Sequence, residues 1–335
     1  MMSDSDWPPT ATLTVLRHRA RLLATVRQFF TEQGYWEVET PLLSRDTCVD
    51  TWIAPVAVPH PTQPERTLYL QTSPEFALKR LLAAGADAVF ELTRSFRCGE
   101  SGPRHNLEFT IVEWYRVGDT HYEQMTVVEQ LVRTIAAESL GTATGPRIPP
   151  HPFPRIRYDE AATSALGASV LELSAAELRT MAESAGIAIP ASLALEDRDG
   201  WLNLLLAERI EPWLAQFPAC FLYDYPASQA ALAKVRPGSP DVAERFELYL
   251  GGMELCNGYH ELTDADELLQ RMQRHNAARI RHGAASLPTD SRLIAAMRHG
   301  LPPCAGVALG FDRLVQWRLG LTDLQQTLTF PFDRA

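Results

Sequence analysis

The sequence predicts an α+β fold with several antiparallel strands. Two observations support this prediction. First, segments such as residues 107–115 alternate in side-chain character with a period of two residues, which is typical of strands. Second, the strand-like segments are not separated by the regularly spaced helices of a βαβ series, which would form a parallel sheet. The chain has 335 residues, of which 46% are hydrophobic, so it can bury a substantial core.

The first predicted element is an amphipathic helix over residues 12–33, preceded by a tail of residues 1–11. Leucine, valine and phenylalanine side chains recur in the helix at helical spacing, and Gly34 follows where a helix should end. The sequence YWEVETPLL then predicts a short strand that finishes near Pro41. Proline is tolerated at the edge or end of a strand but not in the middle of a sheet.

Four further elements lead to the most informative part of the chain. LYLQ (68–71) predicts a strand, TSPE (72–75) predicts a turn, and residues 76–84 predict a helix. AVFELT (88–93) then predicts another strand, which continues into the segment RSFRCGESGPRHNLEFTIVEWY.

This segment, residues 94–115, begins with closely spaced arginines, crosses a Gly-Pro loop and ends in an alternating strand. One face of the strand carries Phe109, Glu113 and Tyr115. An aromatic ring, a carboxylate and a phenol on one face, behind several arginines, are unusual in a core. They fit a pocket for a flat, phosphorylated ligand next to a cationic one.

Helical patterns dominate the middle of the chain. A helix is predicted at about residues 126–139, and the Gly- and Pro-rich residues 141–155 predict a linker or an irregular crossing. The signal that follows is mostly helical. We therefore predict a helical insertion at about residues 141–240 within a single domain of residues 12–330.

Three elements are predicted in the last third of the chain. RFELYLGGMELCNGYHEL (245–262) predicts two strands around a Gly-Gly bulge. Residues 265–283 predict a helix, and GVALGFDRLVQWRLG (306–320) predicts a strand, a glycine turn and a helix.

Composition excludes several classes of protein. The formal charge of −10 argues against a purely electrostatic nucleic-acid binder, which usually carries a basic face. The five cysteines are scattered without metal-ligand spacing, so they are predicted to be free thiols. The N-terminus has no apolar segment of a secretory signal, and no apolar run is long enough to cross a bilayer. These features predict a cytoplasmic protein that does not associate with membranes.

Three arginines are candidates for phosphate binding. Arg97, Arg104 and Arg313 each lie beside a glycine-containing turn, and the planar guanidinium binds phosphate in a bidentate manner. A lone arginine is more often a solvated surface charge, but three in such settings favour phosphate contact. GVALGFDR, which carries Arg313, matches neither a dinucleotide fingerprint nor a P-loop.

A cluster of carboxylates follows in residues 245–262, where Glu247, Glu254 and Glu261 are candidate ligands. Carboxylates that face a triphosphate usually hold Mg²⁺, a hard cation that prefers oxygen ligands. A carboxylate without a metal can instead bind an ammonium group. Together the clusters fit the activation of a carboxylate by ATP.

These residues resemble the catalytic domain of class II aminoacyl-tRNA synthetases, and within that family the lysine type. The helix and strand that end at Pro41 resemble the first class II motif, which forms the dimer interface. Residues 97–115 resemble the second motif, and GVALGFDR resembles the third. The resemblance covers residues 12–325 and implies an antiparallel sheet flanked by helices, a homodimer, and ATP with Mg²⁺.

The resemblance also implies roles at the nucleotide. Arg97 would bind the α-phosphate and the substrate carboxylate, Arg104 and Arg313 the outer phosphates, and Phe109 would stack on adenine beneath Arg313. The remaining implied contacts of the nucleotide and its metal are Glu100, His105 and Asn106 in the loop, and Glu247 and Glu254 at Mg²⁺. Gly99 holds the position at which the family usually has a glutamate, and Glu100 follows it.

At the amino acid, the resemblance implies that Glu75 meets the backbone amine and that Asn257 helps to hold the carboxylate. A buried ammonium needs acidic partners, because an unpaired charge there is costly. The implied partners of the side-chain ammonium are Glu113, Tyr115 and Glu261, with Tyr259 alongside and Glu254 near the substrate. Ser73 and Ala308 depart from the usual pocket lining, and a methyl group at Ala308, where the family has glycine, would alter the shape of the pocket.

Lysyl-tRNA synthetases carry an N-terminal barrel that reads the anticodon, whereas this sequence starts directly at the first motif. In this respect it resembles the bacterial ligases that modify elongation factor P. These ligases activate lysine or, preferentially, (R)-β-lysine and transfer it to a lysine of the factor. The resemblance therefore implies elongation factor P as the partner, without anticodon recognition. Two alternatives stay open: a free-standing enzyme that charges an RNA, and a catalytically inactive regulatory paralogue.

Overall fold

The computed structural model describes residues 7–100, 102–141, 146 and 148–335. Its contacts divide the chain into two compact units. The first unit comprises Met1–Asp119, Thr126–Pro146 and Thr263–Ala335, and the second comprises Thr120–Met125 and Arg147–Leu262. Residues 1–6 of the predicted tail, and residues 142–145 and 147 of the predicted linker, lie outside the described residues.

The strands of the described residues are short, and each has between two and ten residues. In chain order they are β1 (Trp36–Glu37), β2 (Leu43–Ser44), β3 (Ala57–Pro59), β4 (Thr67–Leu70), β5 (Ala88–Phe96), β6 (Glu108–Val117), β7 (Arg155–Arg157), β8 (Cys220–Pro226), β9 (Val235–Arg236), β10 (Val242–Leu250), β11 (Met253–His260) and β12 (Cys304–Gly310).

The helices predicted in the first unit are all present, but a further helix over residues 292–300 of that unit was not predicted, and the second unit adds several short helices. In chain order the α-helices of the described residues are α1 (Leu13–Glu32), α2 (Glu75–Ala83), α3 (His121–Ala137), α4 (Tyr158–Leu166), α5 (Ala175–Ser184), α6 (Arg198–Leu205), α7 (Glu211–Leu214), α8 (Ala265–Arg281), α9 (Arg292–Gly300) and α10 (Phe311–Leu319).

The first unit contains a sheet in which β1, β5, β6 and β12 are neighbours in that order. β1 pairs with β5 in parallel, and the β5–β6 and β6–β12 pairs are antiparallel. A smaller antiparallel sheet has the order β2, β4, β3. Helix α1 packs its apolar face here, and the ring of Phe30 lies 4.8 Å from those of Phe90 and Trp114.

The second unit contains β7, β8, β10 and β11 as neighbours, with β9 paired to β10. The β7–β8 pair is parallel and the others are antiparallel. Helices α4 to α7 pack on a fully buried core that includes Tyr158, Trp201 and Tyr225. Mostly antiparallel sheets with helices packed on them confirm the predicted α+β class in both units.

Two local predictions were wrong. Gly251 and Gly252 do not form a bulge: they are the two-residue turn of the β10–β11 hairpin, with φ of 57° and 82°. Left-handed backbone at both positions is typical of a tight hairpin turn and favours glycine. The bulge lies instead between Leu248 and Tyr249. YWEVETPLL is also not one strand, because β1 and β2 are separate and belong to different sheets.

The predicted helical segment at 141–240 also holds strands that the sequence analysis missed. The most important is β8, which pairs with both β7 and β10 and is almost entirely buried. Its sequence, CFLYDYP, is a short apolar run, and such a run does not distinguish a buried strand from a buried helix by its periodicity.

No helix within the described part of the chain combines the length and the apolar character that crossing a membrane would require.

Candidate active site

Strand β6 of the first unit places Glu113 and Tyr115 on one face, as predicted. Their cross-strand neighbours on β12 are Ala308 and Gly306, respectively. A Cβ atom at Gly306 would lie 2.1 Å from the ring of Tyr115, so only glycine leaves room for the ring at this position. The pairing therefore brings Ala308, which the sequence analysis assigned to the pocket, directly beside Glu113.

Glu113 has no exposed surface and receives hydrogen bonds from two hydroxyl groups. Ser73 Oγ donates to Oε2 at 2.6 Å, and Tyr115 Oη donates to Oε1 at 2.7 Å. Burial, and secondly the nearby charge of Glu75, raise the pKa of Glu113 to about 8, although the two hydroxyl groups act in the opposite direction. Ser73, Glu113 and Tyr115 thus form one acidic cluster, in which the raised pKa of Glu113 favours the protonated carboxyl group below about pH 8.

Lys79 belongs to this acidic cluster and was missed by the sequence analysis. Its ammonium lies 2.5 Å from Glu75 Oε1 and 5.8 Å from the centre of the Tyr115 ring, and the side chain is only 2% exposed. Glu75 and Lys79 are four residues apart on α2, a spacing that places side chains together on one helix face. That spacing was the signal in the sequence that could have identified Lys79.

Arg97 lies over the predicted adenine-binding residue. The centre of its guanidinium is 5.0 Å from the centre of the Phe109 ring, and Nη1 lies 3.6 Å from Glu100 Oε1. Its Nε is buried and has no hydrogen-bond partner among the residues that the structure describes. A buried donor without a partner is costly, and an anionic oxygen would satisfy it.

The loop before β6 meets the start of α10 at Arg313. The guanidinium donates a hydrogen bond to Nε2 of His105 at 2.8 Å, so this ring nitrogen is unprotonated. Burial and the Arg313 charge lower the pKa of His105, which keeps the ring neutral. Arg104 is exposed and forms no ion pair within the described part of the chain.

Asn106 has a structural role in the same loop. Its Nδ2 donates to the carbonyl of Glu108 at 2.6 Å, and its Oδ1 accepts from the backbone N–H of Phe332 at 3.1 Å. Both ends of this amide thus hold the loop that the sequence analysis predicts to contact the nucleotide.

A buried network fixes the start of α10 against β6. Arg19 Nη2 lies 2.6 Å from Asp312 Oδ1, and Asp312 Oδ2 accepts from the backbone N–H of Thr110 at 2.8 Å. Arg19 also donates to Thr110 Oγ1 at 2.7 Å. Asp312 and Thr110 are the neighbours of Arg313 and Phe109, so this network positions the two predicted nucleotide contacts.

The second unit carries a second cluster on the β10–β11 hairpin. Cross-strand pairs place Arg245 opposite Tyr259 and Glu247 opposite Asn257, so all four share one face. Arg245 lies 2.5 Å from Glu247 Oε1 and donates to Asn257 Oδ1 at 3.2 Å. Asn257 Nδ2 in turn donates to Tyr259 Oη at 2.9 Å.

Arg245 was also missed by the sequence analysis. Its guanidinium lies 4.4 Å from the centre of the Tyr225 ring, and the carboxylate of Glu247 raises its pKa although burial acts in the opposite direction. The residue stands two positions before Glu247 on the same strand, and this period-two spacing was available in the sequence.

The carboxylates of this hairpin suit a hard metal ion. Glu247 accepts from Arg245 through Oε1 and from Tyr249 through Oε2 at 2.6 Å, and each carboxylate oxygen retains a second lone pair. Glu254 is half-buried. Glu261 is 1% exposed, and its backbone forms an isolated antiparallel β-bridge with that of Ala233. Oxygen ligands of this type are those that Mg²⁺ prefers.

Comparison with known proteins agrees with these features. A family model described as tRNA synthetases class II (D, K and N) matches residues 8–334. A protein of Vibrio vulnificus is 44% identical over 99% of both chains, and one of Vibrio cholerae is 43% identical over the full length of both. A protein of Yersinia enterocolitica is 40% identical, again over the full length of both. All three are named elongation factor P--(R)-beta-lysine ligase.

Proposed function

The chain belongs to the family of class II tRNA synthetases (D, K and N), and we propose that it is an ATP-dependent ligase that activates (R)-β-lysine or lysine. The activated amino acid is then transferred to the ε-amine of a lysine on elongation factor P. The acceptor in this proposal follows from the shared name of the three relatives, each of which aligns with almost the whole chain.

The observation that carries the choice of substrate is the acidic cluster around Glu113. Glu113 accepts hydrogen bonds from two neutral hydroxyl groups, and its pKa is raised to about 8 even with Lys79 in the cluster, so the protonated group is ready to exchange its proton for a cation. The side-chain ammonium of a lysine supplies that cation. An acidic substrate would need basic residues at this position instead.

We assign the nucleotide residues from their geometry in the first unit. Arg97, with its buried unpartnered Nε, binds the α-phosphate, and Phe109 beneath it stacks on adenine. Arg313 and the exposed Arg104 bind the outer phosphates. His105 accepts a hydrogen bond from Arg313 and holds that guanidinium in place, and Glu100 supports Arg97.

In the second unit, Glu247 and Glu254 are the residues that would hold Mg²⁺, which neutralises charge on the phosphates of ATP. We assign Asn257 to the substrate carboxylate, and Tyr259 and Glu261 to the amine-binding part of the site. Arg245 positions Glu247 and Asn257, because it contacts both side chains.

The reaction has two steps. The substrate carboxylate attacks the α-phosphorus of ATP, the bond to the β-phosphate oxygen breaks, and pyrophosphate leaves. Arg97 stabilises the charge that develops at the α-phosphate, so this step depends on positioning and electrostatics. The neutral amine of the acceptor lysine then attacks the carbonyl carbon of the adenylate, AMP leaves, and the amine loses a proton.

Glu75 and Lys79 prepare the amino-acid end of the pocket. Glu75 binds the backbone amine of the substrate, and its pairing with Lys79 fixes the carboxylate in one orientation. Ser73 and Ala308 adjoin Glu113 and shape the space around the aliphatic chain. We further propose that the enzyme is a cytoplasmic homodimer that forms through the segment of the first class II motif.

Mass spectrometry of elongation factor P tests the proposal directly. The factor is incubated with this protein, ATP, Mg²⁺ and either lysine or (R)-β-lysine, and pyrophosphate exchange is measured in parallel. We expect exchange and an increase in mass by one lysyl group on a single lysine of the factor. A variant of the factor in which that lysine is replaced by arginine should remain unmodified.

Other outcomes correspond to other functions. Exchange followed by labelling of RNA, with none on the factor, would identify an enzyme that charges an RNA. An absence of exchange with every amino acid would identify a binding paralogue.

A further inference from the structure

A second group of ionisable side chains surrounds one face of the β10–β11 hairpin of the second unit. We call it the histidine cluster, and it consists of His121, Asp224, Arg236, Glu244 and His260. His260 Nδ1 lies 2.5 Å from Glu244 Oε2, and Arg236 bridges Glu244 Oε1 at 3.1 Å and Asp224 Oδ2 at 2.6 Å. One ligand atom from each of His121, Glu244 and His260 lies within 4.8 Å of the other two.

His121 is the member of the histidine cluster whose ring nitrogens form no hydrogen bond with any residue that the structure describes. It is 1% exposed. The nearest carboxylate oxygen, Asp224 Oδ1, is 3.7 Å from Nε2, beyond hydrogen-bonding distance. Two buried polar atoms without partners are costly, and their presence calls for a ligand that the histidine would bind.

The histidine cluster occupies the face of the hairpin opposite to the predicted substrate residues. Arg245 pairs with Tyr259, and the next position along each strand carries Glu244 and His260. Successive side chains of a strand point to opposite faces, so Glu244 and His260 lie behind Arg245 and Tyr259. The histidine cluster is therefore separate from the proposed magnesium carboxylates.

Asp224 reaches the histidine cluster through an irregularity of its strand. The β8–β10 register shifts between Ala243 and Phe246, and Asp224 has a φ of 56°, in the left-handed region. Bulges of this kind redirect a side chain. Here the bulge turns a carboxylate toward His121.

The chemistry of the histidine cluster matches a transition-metal site. Imidazole nitrogen with a carboxylate oxygen is a ligand set that Zn²⁺ binds in tetrahedral geometry. The carboxylate of Glu244 is paired with Nδ1 of His260 through one oxygen and with the guanidinium of Arg236 through the other. The carboxylates of Asp224 and Glu244 face two guanidinium groups, that of Arg236 and that of the largely exposed Arg157, which lies 3.9 Å from Asp224 Oδ2. An ion at this site is therefore held by its ligand bonds and not by an excess of negative charge.

We propose that the second unit binds one Zn²⁺ ion through His121, His260 and Glu244, with Asp224 or a water molecule as the fourth ligand. Metal–ligand bonds of about 2.0–2.1 Å separate tetrahedral ligand atoms by roughly 3.3 Å. His260 and Glu244 therefore move apart when the ion replaces the hydrogen bond between them, and His121 moves closer. The ion has a structural role: it satisfies the buried His121 and binds the half-buried His260.

The test is equilibrium dialysis of the full-length protein against Zn²⁺, with Mg²⁺ present and ATP absent. The metal content per chain is then measured by inductively coupled plasma mass spectrometry. We expect one Zn²⁺ per chain for the wild type, and at least a tenfold weaker affinity for His121→Gln and His260→Gln. Glutamine keeps a polar side chain of similar length but lacks the imidazole nitrogen.

A matched control is His299→Gln, because His299 is an exposed histidine at the end of α9. This variant should keep the wild-type stoichiometry and affinity. The absence of bound Zn²⁺ in the wild type, or equal binding by all three variants, would overturn the proposal. The histidine cluster would then be only a network of ion pairs.

X-ray absorption at the zinc edge tests the ligands in the wild type without any substitution. Two imidazoles and oxygen donors are expected. A sulfur ligand would overturn the assignment, because the chain has five cysteines and none belongs to the histidine cluster. This measurement remains decisive if the histidine variants fail to fold.

Discussion

Glu113 in the first unit and Glu247 in the second are both buried glutamates of central strands, and they differ in what compensates their charge. Glu113 accepts hydrogen bonds from Ser73 and Tyr115, two neutral hydroxyl groups, and its pKa rises to about 8. Glu247 accepts one hydrogen bond from Tyr249 but is paired with the guanidinium of Arg245 through its other oxygen.

This difference indicates different roles: Glu113 recognises the substrate, whereas Glu247 is a fixed ligand. A carboxylate that is paired with a guanidinium of the protein binds an additional cation less strongly than a carboxylate that is hydrogen-bonded by hydroxyl groups. The reason is that the guanidinium already offsets its charge. Glu113 is therefore suited to select a cationic substrate. Glu247 is held in one orientation by Arg245 and Tyr249, and such a fixed carboxylate is suited to bind a metal ion. Three substitutions and the pH dependence of binding and stability would break or sharpen this contrast.

The largest expected effect is on substrate activation in Glu113→Gln. The amide cannot pair with an ammonium, so kcat/KM for pyrophosphate exchange should fall roughly 10³-fold, about 4 kcal/mol. ATP binding, measured by calorimetry without amino acid, should be unchanged. Glu91→Gln is a matched control, because Glu91 is a buried glutamate opposite Glu113 on β5 whose carboxylate faces Thr40. If Glu91→Gln lost as much activity as Glu113→Gln, the assignment of the ammonium partner would be wrong.

The next effect is on stability in Arg245→Met. The substitution leaves Glu247 buried without its guanidinium, and removal of one partner of a buried pair costs roughly 3 kcal/mol or more. Urea denaturation followed by circular dichroism measures the change. Arg298→Met breaks an exposed pair with Asp266 and should cost less than about 1 kcal/mol. Equal losses in the two variants would contradict the supporting role of Arg245.

The change of substrate affinity with pH is expected to be smaller than the effect of Arg245→Met and larger than that of Ser73→Ala. A bound ammonium requires an anionic Glu113, so binding releases one proton when the pH lies below about 8. Each pH unit below that value should weaken lysine binding about tenfold, or about 1.4 kcal/mol. Calorimetry in two buffers of different ionisation enthalpy measures the released proton. A substrate affinity independent of pH would show that Glu113 is already ionised in the free enzyme.

The same proton has a consequence for stability. The folded protein keeps it between pH 4.5, the ordinary value, and about 8, whereas the unfolded chain releases it. The native state therefore binds more protons in this window, and stability should fall as the pH rises through it. Glu113→Gln should remove this part of the pH dependence.

The smallest effect is expected for Ser73→Ala. Loss of one hydroxyl donor removes an interaction that lowers the pKa of Glu113, so the pKa should rise further. At neutral pH the substrate KM should increase several-fold, in line with about 1 kcal/mol for one hydrogen bond. Ser95→Ala is the control, because the buried Ser95 Oγ forms no hydrogen bond in the part of the chain that is described. An unchanged pH profile in Ser73→Ala would contradict the role of the hydroxyl.

The sequence was most informative where strand periodicity and side-chain chemistry coincide. The pattern of residues 107–115 predicted both β6 and the shared face of Glu113 and Tyr115, because alternation determines which side chains lie together. The helix at α1 was predicted within one residue, since Thr12 caps its N-terminus and Gly34 follows its end.

The side chains that contact the predicted residues were harder to predict from the sequence. Lys79 and Arg245 are common helix and strand residues, and their importance depends on which carboxylate they meet after folding. The histidine cluster combines four separate segments of the second unit, and β8, which contributes Asp224, was not predicted at all. Contacts between segments distant in sequence leave no periodic signal in any one of them.

The tight turn at Gly251 and Gly252 determines which chemistry each face of the hairpin presents. Insertion of a single residue there would shift β11 by one position against β10. His260 would then change places with Tyr259 or Glu261 relative to the neighbouring strand, and the imidazole would face the substrate side. The number of residues in this turn is therefore constrained as strongly as the identity of the residues on the strands, although neither glycine carries a functional group.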